Sequence, residues 1–174
     1  MLRDLYAGAI KDAHAREQSV SKAEIQVLAE RAKPALDPKE FLLSATHVRV
    51  IAEIKRASPS RGKIAEIDEP GELAAIYESA GAGAVSVLTE GHKFLGSLED
   101  LDAVRTKVSI PVLRKDFIAN DYQVLEARAH GADLVLLIAA GLEPKELVRL
   151  KLLVEQLGMT ALIAVSYTHL TLPT

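Results

Sequence analysis

The sequence predicts an α/β fold of repeated strand–helix units around a parallel sheet, the pattern of a (β/α)8 TIM barrel, behind an N-terminal helical extension. Three observations predict it. From residue 47 onward, short runs rich in Val, Ile and Leu alternate with helical stretches, and strands of that kind have both faces covered. The turn from helix to strand recurs, first as Ala80-Gly81-Ala82-Gly83-Ala84-Val85 and then as His130-Gly131-Ala132-Asp133-Leu134-Val135, with glycine in the place of a helix C-cap. No GxGxxG follows the first strand, which argues against a doubly wound nucleotide-binding sheet.

The elements follow in order. Residues 2–33 have helical period, with Leu2, Leu5, Tyr6 and Ile10 on one face. A second helix opens at Ser21 with Glu24 three residues on, a capping-box spacing. Pro34 and Pro38 close the region, so residues 1–46 read as a helical extension that packs on something else. Strands are expected at 48–55, 84–90, 110–115, 134–139 and 161–165. Helices fall between them, from about 69 to 80 with Pro70 in the first turn, from Ser97, from about 121 to 130, and from 143 to 157 ahead of Gly158. Residues 47–165 are thus expected to form the first half of a barrel truncated to about four and a half βα units, where a closed barrel takes roughly 250 residues. The last nine residues, SYTHLTLPT at 166–174, lack a helix start or a helical period. They resemble a translated adaptor or vector remnant and are expected to be a non-native tail.

Composition narrows the function. The 174 residues are 49% hydrophobic and 26% charged, the range of an ordinary globular domain. A net charge of -3 leaves no bulk positive surface for nucleic acid, though it allows a local cationic pocket. With 4% aromatic residues and no tryptophan, a stacking platform for single-stranded nucleic acid is not expected. The absence of cysteine excludes disulfides, thiolate metal sites and cysteine nucleophiles, and fits a cytoplasmic protein. The N-terminus carries charges throughout, and no run approaches the roughly 18 apolar residues of a membrane span.

In a barrel of this kind the chemistry sits at the carboxyl ends of the strands, so the polar residues there are the ones that matter. Glu53 and Lys55 are two residues apart on the first strand and share a face. Beyond them comes a polar turn, Ser58-Pro59-Ser60. The second strand ends on Thr89 and Glu90, the third on Arg114, Lys115 and Asp116, and the fourth on nothing ionisable. Two lysines and a glutamate at one mouth suit an anionic substrate that needs a proton at a carbonyl. Read without further help, Glu53–Lys55 is as readily a rim ion pair as a site, Lys115–Asp116 a solvated strand end, and Phe94 a loop packing residue. Glu90 reads as a rim charge, and His92, His130 and His169 as surface residues without ligand spacing.

Three motifs decide among these. IAEIKRASPSRGKI at 51–64, SVLTEGHKFLGSLEDL at 86–101 and PVLRKDFIANDYQVLEARAHGADLVLLI at 111–138 resemble the indole-3-glycerol-phosphate synthase family of tryptophan biosynthesis. The resemblance runs from Met1 to Val165. It implies a carboxy-lyase that closes and decarboxylates 1-(2-carboxyphenylamino)-1-deoxyribulose 5-phosphate to indole-3-glycerol phosphate, without metal or cofactor. It further implies that Lys115 is the general acid at the substrate carbonyl and that Lys55 contacts the substrate's anionic groups. Glu53 would orient that lysine and bond substrate hydroxyls. Ser58 would lie near the phosphate or carboxylate, and Phe94 would pack on the anthranilate ring.

Two departures temper that expectation. Where the family's fifth strand carries a glutamate base, this chain reads Leu162-Ile163-Ala164-Val165-Ser166, and the family's ligands on strands six to eight have no counterpart here. The 174-residue chain is therefore expected to be inactive. A different class of reading remains open, a non-catalytic half-barrel that binds anions or self-associates through open edges. Phosphoribosylanthranilate isomerase, another phosphate-binding barrel, relies on a cysteine that this chain lacks.

Overall fold

The structure, a computed structural model, describes residues 2–43 and 46–165. Three helices lead, α1 (Leu2–Ser19), α2 (Lys22–Arg31) and the short α3 (Pro38–Leu42). Then come β1 (Ile51–Ile54), a small hairpin β2 (Ala57–Ser58) and β3 (Gly62–Lys63), α4 (Pro70–Ser79) and β4 (Ala84–Leu88). The chain continues through α5 (Leu98–Lys107), β5 (Val112–Lys115), α6 (Asp121–Ala129), β6 (Leu134–Ile138), α7 (Pro144–Gln156) and β7 (Thr160–Ala164). Five strands pair in the order β1-β4-β5-β6-β7, every pair parallel. Each large strand thus lies beside the next in sequence, as in the barrel the sequence predicts.

Period-two alternation divides the sheet into two faces. Val85, Val87, Val112, Val135 and Leu137 face the helices and merge with Ala74, Leu101, Val104, Val124, Leu150 and Val154 into the main core. The other face carries Leu113, Leu134 and Leu136, with Ile138 and Ala164 packed against them. The repeated turns observed in the sequence share one geometry. Gly81 and Gly131 have φ of 94° and 78°. The residue after each donates its amide back into the helix, Ala82 to Tyr77 and Ala132 to Ala127. That left-handed step reverses the helix into the next strand, and glycine makes it without strain.

The extension reaches both ends of the sheet. Tyr6 of α1 packs edge-on against Phe117 just past β5, with ring centroids 5.7 Å apart, and its hydroxyl donates to the Ile138 carbonyl at 3.5 Å. Ile25 and Ala29 of α2 lie against Tyr122 and Leu125 of α6. The capping box at Ser21 and Glu24 is present as expected. After α2 the chain crosses toward the amino ends of the strands, where the Leu36 amide donates to Asp133 at 2.8 Å.

Charged residues tie α1 into the core. Arg114, with no exposed surface, points from β5 toward the helices. Its guanidinium meets Glu126 at 2.9 Å and Asp116 at 3.1 Å. It also donates to Thr89 and to the Gln123 carbonyl. Glu126 in turn receives both Arg16 nitrogens from α1, at 2.5 and 2.9 Å. A buried guanidinium is tolerated only when its donors and charge are matched, and here two cations and two carboxylates close on one another.

The structure departs from the expected elements in several places. Pro38 does not close the helical region but opens α3, where the Asp37 side chain accepts the Lys39 amide at 2.9 Å. The first strand is shorter, since Val48 and Val50 are exposed and the ladder begins at Ile51. The stretch after Lys55 is no simple loop but the β2–β3 hairpin, turned at Gly62 with φ 63° and pinned by the Ile64 and Ala65 amides on the Arg56 carbonyl. Ser166 to Thr174, the expected tail, and Ser44 and Ala45 lie outside the described residues.

Replacing Glu126 with alanine strands Arg114 without its main counter-charge. The variant is expected to lose about 3–5 kcal/mol of stability, read as a drop in urea midpoint by circular dichroism. An unchanged midpoint would contradict this account of the core.

Candidate active site

Strand register brings the charged ends together. In the ladder Glu53 lies beside Ser86, Ser86 beside Leu113, and Leu88 beside Lys115. Glu53 and Lys115 therefore sit on the same face, with one strand between them and Lys115 one inward-facing position further along. Lys115 spans that gap with its four-carbon stem and its ammonium bonds Glu53 Oε2. Lys55, just past β1, bonds the other oxygen, Oε1, at 2.6 Å. One carboxylate thus holds two ammonium groups and leaves the cluster net positive.

The cluster is half open, its side chains 26% to 36% exposed. Burial pushes the Glu53 carboxyl up, but the hydrogen bonds and charges of Lys115 and Lys55 outweigh it and hold Glu53 below its ordinary value of 4.5. The carboxylate is ionised at neutral pH, so it positions the lysines as an acceptor rather than giving up a proton itself.

Ser58 lies on the hairpin that follows β1, and Phe94 on the loop that follows β4. Ser58 Oγ accepts from the Arg61 amide at 3.3 Å and lies 3.5 Å from Ser60 Oγ. It opens onto a cleft of about 830 Å³ between the hairpin, the 90–95 loop and α1. That cleft is not lined by Glu53, Lys55 or Lys115; the structure does not bring Ser58 together with the charged cluster. The Phe94 carbonyl accepts from the Ala57 amide at 3.2 Å, which fastens the loop to the hairpin. Its ring tilts against Phe117 with centroids 6.1 Å apart. Among the described residues no three His, Asp or Glu side chains are grouped as metal ligands, and no helix is long and apolar enough to cross a membrane.

A family model described as indole-3-glycerol phosphate synthase matches residues 2–170. The chain belongs to that family. The synthase of Mycolicibacterium gilvum is 58% identical over 165 residues, covering 95% of this chain and 60% of that protein. Those of Leifsonia xyli and of a Parafrankia species are 53% and 55% identical, with this chain spanning 63% and 61% of their lengths. The chain thus spans about 60% of the curated relatives it matches. Indole-3-glycerol phosphate synthases are TIM barrels, and the sequential parallel sheet described above is part of one.

Several polar residues of this chain sit differently from what the sequence suggests. Glu90 is not a rim charge. It is 5% exposed, and its carboxylate accepts the amides of His92, Lys93 and Phe94 at 3.0, 2.7 and 2.8 Å. A turn that folds its amides inward needs a buried acceptor, and Glu90 supplies it. Asp116 is no solvated strand end either, being buried against Arg114 and Thr89. Gly96 closes the same loop so near the Leu88 carbonyl that a Cβ would overlap it. Ser86 is a polar residue of the site that the strand pattern alone does not single out. It is 3% exposed, its Oγ has no hydrogen-bond partner among the described residues, and it neighbours Glu53 on the inward face. One polar residue at an inward position of AVSVL was the available signal. His92 and His130 carry carboxylate partners, Asp12 and Asp102, while His169 lies outside the described residues.

The Glu53 titration is directly measurable. Because its folded pKa is depressed below 4.5, the stability it contributes is present above that value and is lost as pH falls through the folded pKa. Carboxyl-carbon NMR should find the Glu53 midpoint below 4.5, and Lys115→Met should move it upward. A midpoint at or above 4.5 in the unsubstituted chain would remove the two-lysine bridge.

Proposed function

We propose that this chain carries the strand-end wall of an indole-3-glycerol-phosphate synthase site. The reaction would be ring closure and decarboxylation of 1-(2-carboxyphenylamino)-1-deoxyribulose 5-phosphate to indole-3-glycerol phosphate, in the cytoplasm. The observation that carries the reading is the Glu53 carboxylate bridging Lys55 and Lys115. A substrate with a carboxylate and a phosphate needs fixed cations, and ring closure needs a proton donor at the carbonyl that is lost as water.

In this reading Lys115 is the general acid at the substrate carbonyl. Lys55 receives the substrate's anionic groups and assists dehydration. Glu53 holds both ammonium groups until substrate arrives and bonds substrate hydroxyls, acting mainly as a positioning residue. Ser58, at the rim of the cleft, takes the phosphate or carboxylate. Phe94 offers its ring to the anthranilate, backed by Phe117. No metal or cofactor is required in this scheme.

The organisation proposed for the chain follows from the same reading, with residues 1–46 as the helical extension, 47–165 as the first half of the barrel and 166–174 as a non-native tail. Ala164, where the family carries a glutamate base, packs among Leu113, Leu134 and Leu136 on the inward face. An alanine there extends the apolar wall and accepts no proton. We therefore propose that the 174-residue polypeptide by itself is inactive. Purified chain should show no formation of indole-3-glycerol phosphate by fluorescence; turnover above blank would refute this. In a full-length form with glutamate at 164, Lys115→Met should lower turnover by about 10²- to 10⁴-fold, and near-normal turnover would remove Lys115 from its role.

The alternative of a self-associating piece also has an observation behind it. Among the described residues β1 and β7 each pair on one side only. Val48, Val50 and Ile51 near one edge, and Leu162, Ile163 and Val165 at the other, are exposed. Unpaired edges with apolar flanks associate. Light scattering on the isolated polypeptide should report a dimer or larger, and a clean monomer would count against it.

A further inference from the structure

At the opposite end of the sheet from Lys115, the α5–β5 and α6–β6 turns and the crossing segment after α2 enclose a second cleft of about 840 Å³. That is large enough for a small organic ligand. Its charged lining residues are Lys33, Arg105, Arg128, His130, Asp102 and Asp133, and the way they pair is uneven.

The two carboxylates are already committed. Asp133, 2% exposed, accepts the Leu36 and Val112 amides, each at 2.8 Å, and Arg105 at 2.6 Å. Asp102 takes His130 Nδ1 at 2.8 Å. Arg105 is spent as well, on Asp133 and the carbonyls of Val108 and Ile110. Two cations remain. Arg128 is 4% exposed yet has no salt bridge among the described residues, and its side chain donates only to the Ala132 carbonyl, at 3.1 Å. Burial pushes its guanidinium below the ordinary range, with the Asp133 charge opposing that shift from a distance. Lys33, exposed on the crossing segment, lines the same cleft, again with no ion pair among the described residues. A buried guanidinium without a counter-ion is costly to the fold, and one that lines a cleft can be matched from outside.

We infer that this cleft is an anion site, taking a phosphate or phosphomonoester on the Arg128 guanidinium with Lys33 closing over it. The planar fork of arginine matches two oxygens of such a group, and the flexible lysine supplies a point charge. Pro34, Leu36 and Val108 form an apolar rim that would accommodate the organic part of a monoester. The site lies at the amino-terminal end of the strands and does not depend on the lyase reading.

Residue-resolved NMR of the isotopically labelled 174-residue chain, titrated with inorganic phosphate in a low-salt, uncharged buffer, tests it. Saturable shifts are expected at the amides of Lys33, Leu36, Val108, Gly131 and Asp133, and should persist in Lys115→Met. Arg128→Gln should abolish them, and Lys33→Gln should weaken binding about fivefold. Lys33 is exposed, so Lys33→Glu decides the matter even where Arg128→Gln does not fold. Loss of the shifts in Lys33→Glu supports the site. Unchanged binding in that variant, shifts confined to the Glu53–Lys115 end, or no saturation overturns it. A phosphomonoester such as glycerol phosphate, run in parallel, distinguishes the two sources, since tighter binding than inorganic phosphate assigns the rim to an organic moiety.

Discussion

The burial of Arg114 is the constraint from which much of this molecule follows. A guanidinium with no solvent contact must have its charge and its donors met within the fold, and no single element can do that. The residue after β5 supplies Asp116, α6 supplies Glu126 and a carbonyl, and the residue after β4 supplies Thr89. Glu126 would carry more partners than one arginine can give, and α1 answers with Arg16. The N-terminal helix is thereby drawn across the carboxyl ends of the strands by charge as well as by the Tyr6 and Phe117 rings.

Because side chains alternate along a strand, fixing Arg114 toward the helices fixes Lys115 toward the opposite face. The residue on which the proposed chemistry rests is flanked on both sides by groups buried in an ionic network. Its neighbours therefore cannot rotate without breaking several bonds at once. The exposed half of the site, the Glu53–Lys55–Lys115 cluster, is built on the rigid half behind it. Sites that must hold charged groups at set separations gain from such backing.

The fold was legible because its signals are local. The glycine turns at Gly81 and Gly131 and the capping box at Ser21 each act within a few residues, and each stands where the sequence puts it. The strands fall on their runs of Val, Ile and Leu, though the first begins only at Ile51. Glu53 and Lys55 could be placed on one face because period two settles it, and Lys115 at the same mouth because parallel strands end there together; their shared face with Lys115 needed the strand register. Glu90 and Asp116 could not be read in the same way. An acidic residue at a strand end looks identical in sequence whether it meets water, three backbone amides or a buried arginine. What decides is the path of a loop and the seating of a distant helix. The β2–β3 hairpin was hidden for a different reason: each strand is only two residues long, Ala57–Ser58 and Gly62–Lys63, too short to show an alternating pattern, although its contacts are local. Ser86 was legible as an oddity only, a hydroxyl in an apolar strand.

The Glu90 turn has a bearing on how this protein can change. The carboxylate grips the loop entirely through backbone amides of His92, Lys93 and Phe94, and amides are present whatever side chains the positions bear. Substitutions there can alter what the loop shows to a ligand while its path is conserved. Proline alone, which has no amide hydrogen, is barred from these three positions. The segment bordering the cleft is therefore a place where new specificities can be sampled without first dismantling the scaffold that holds them.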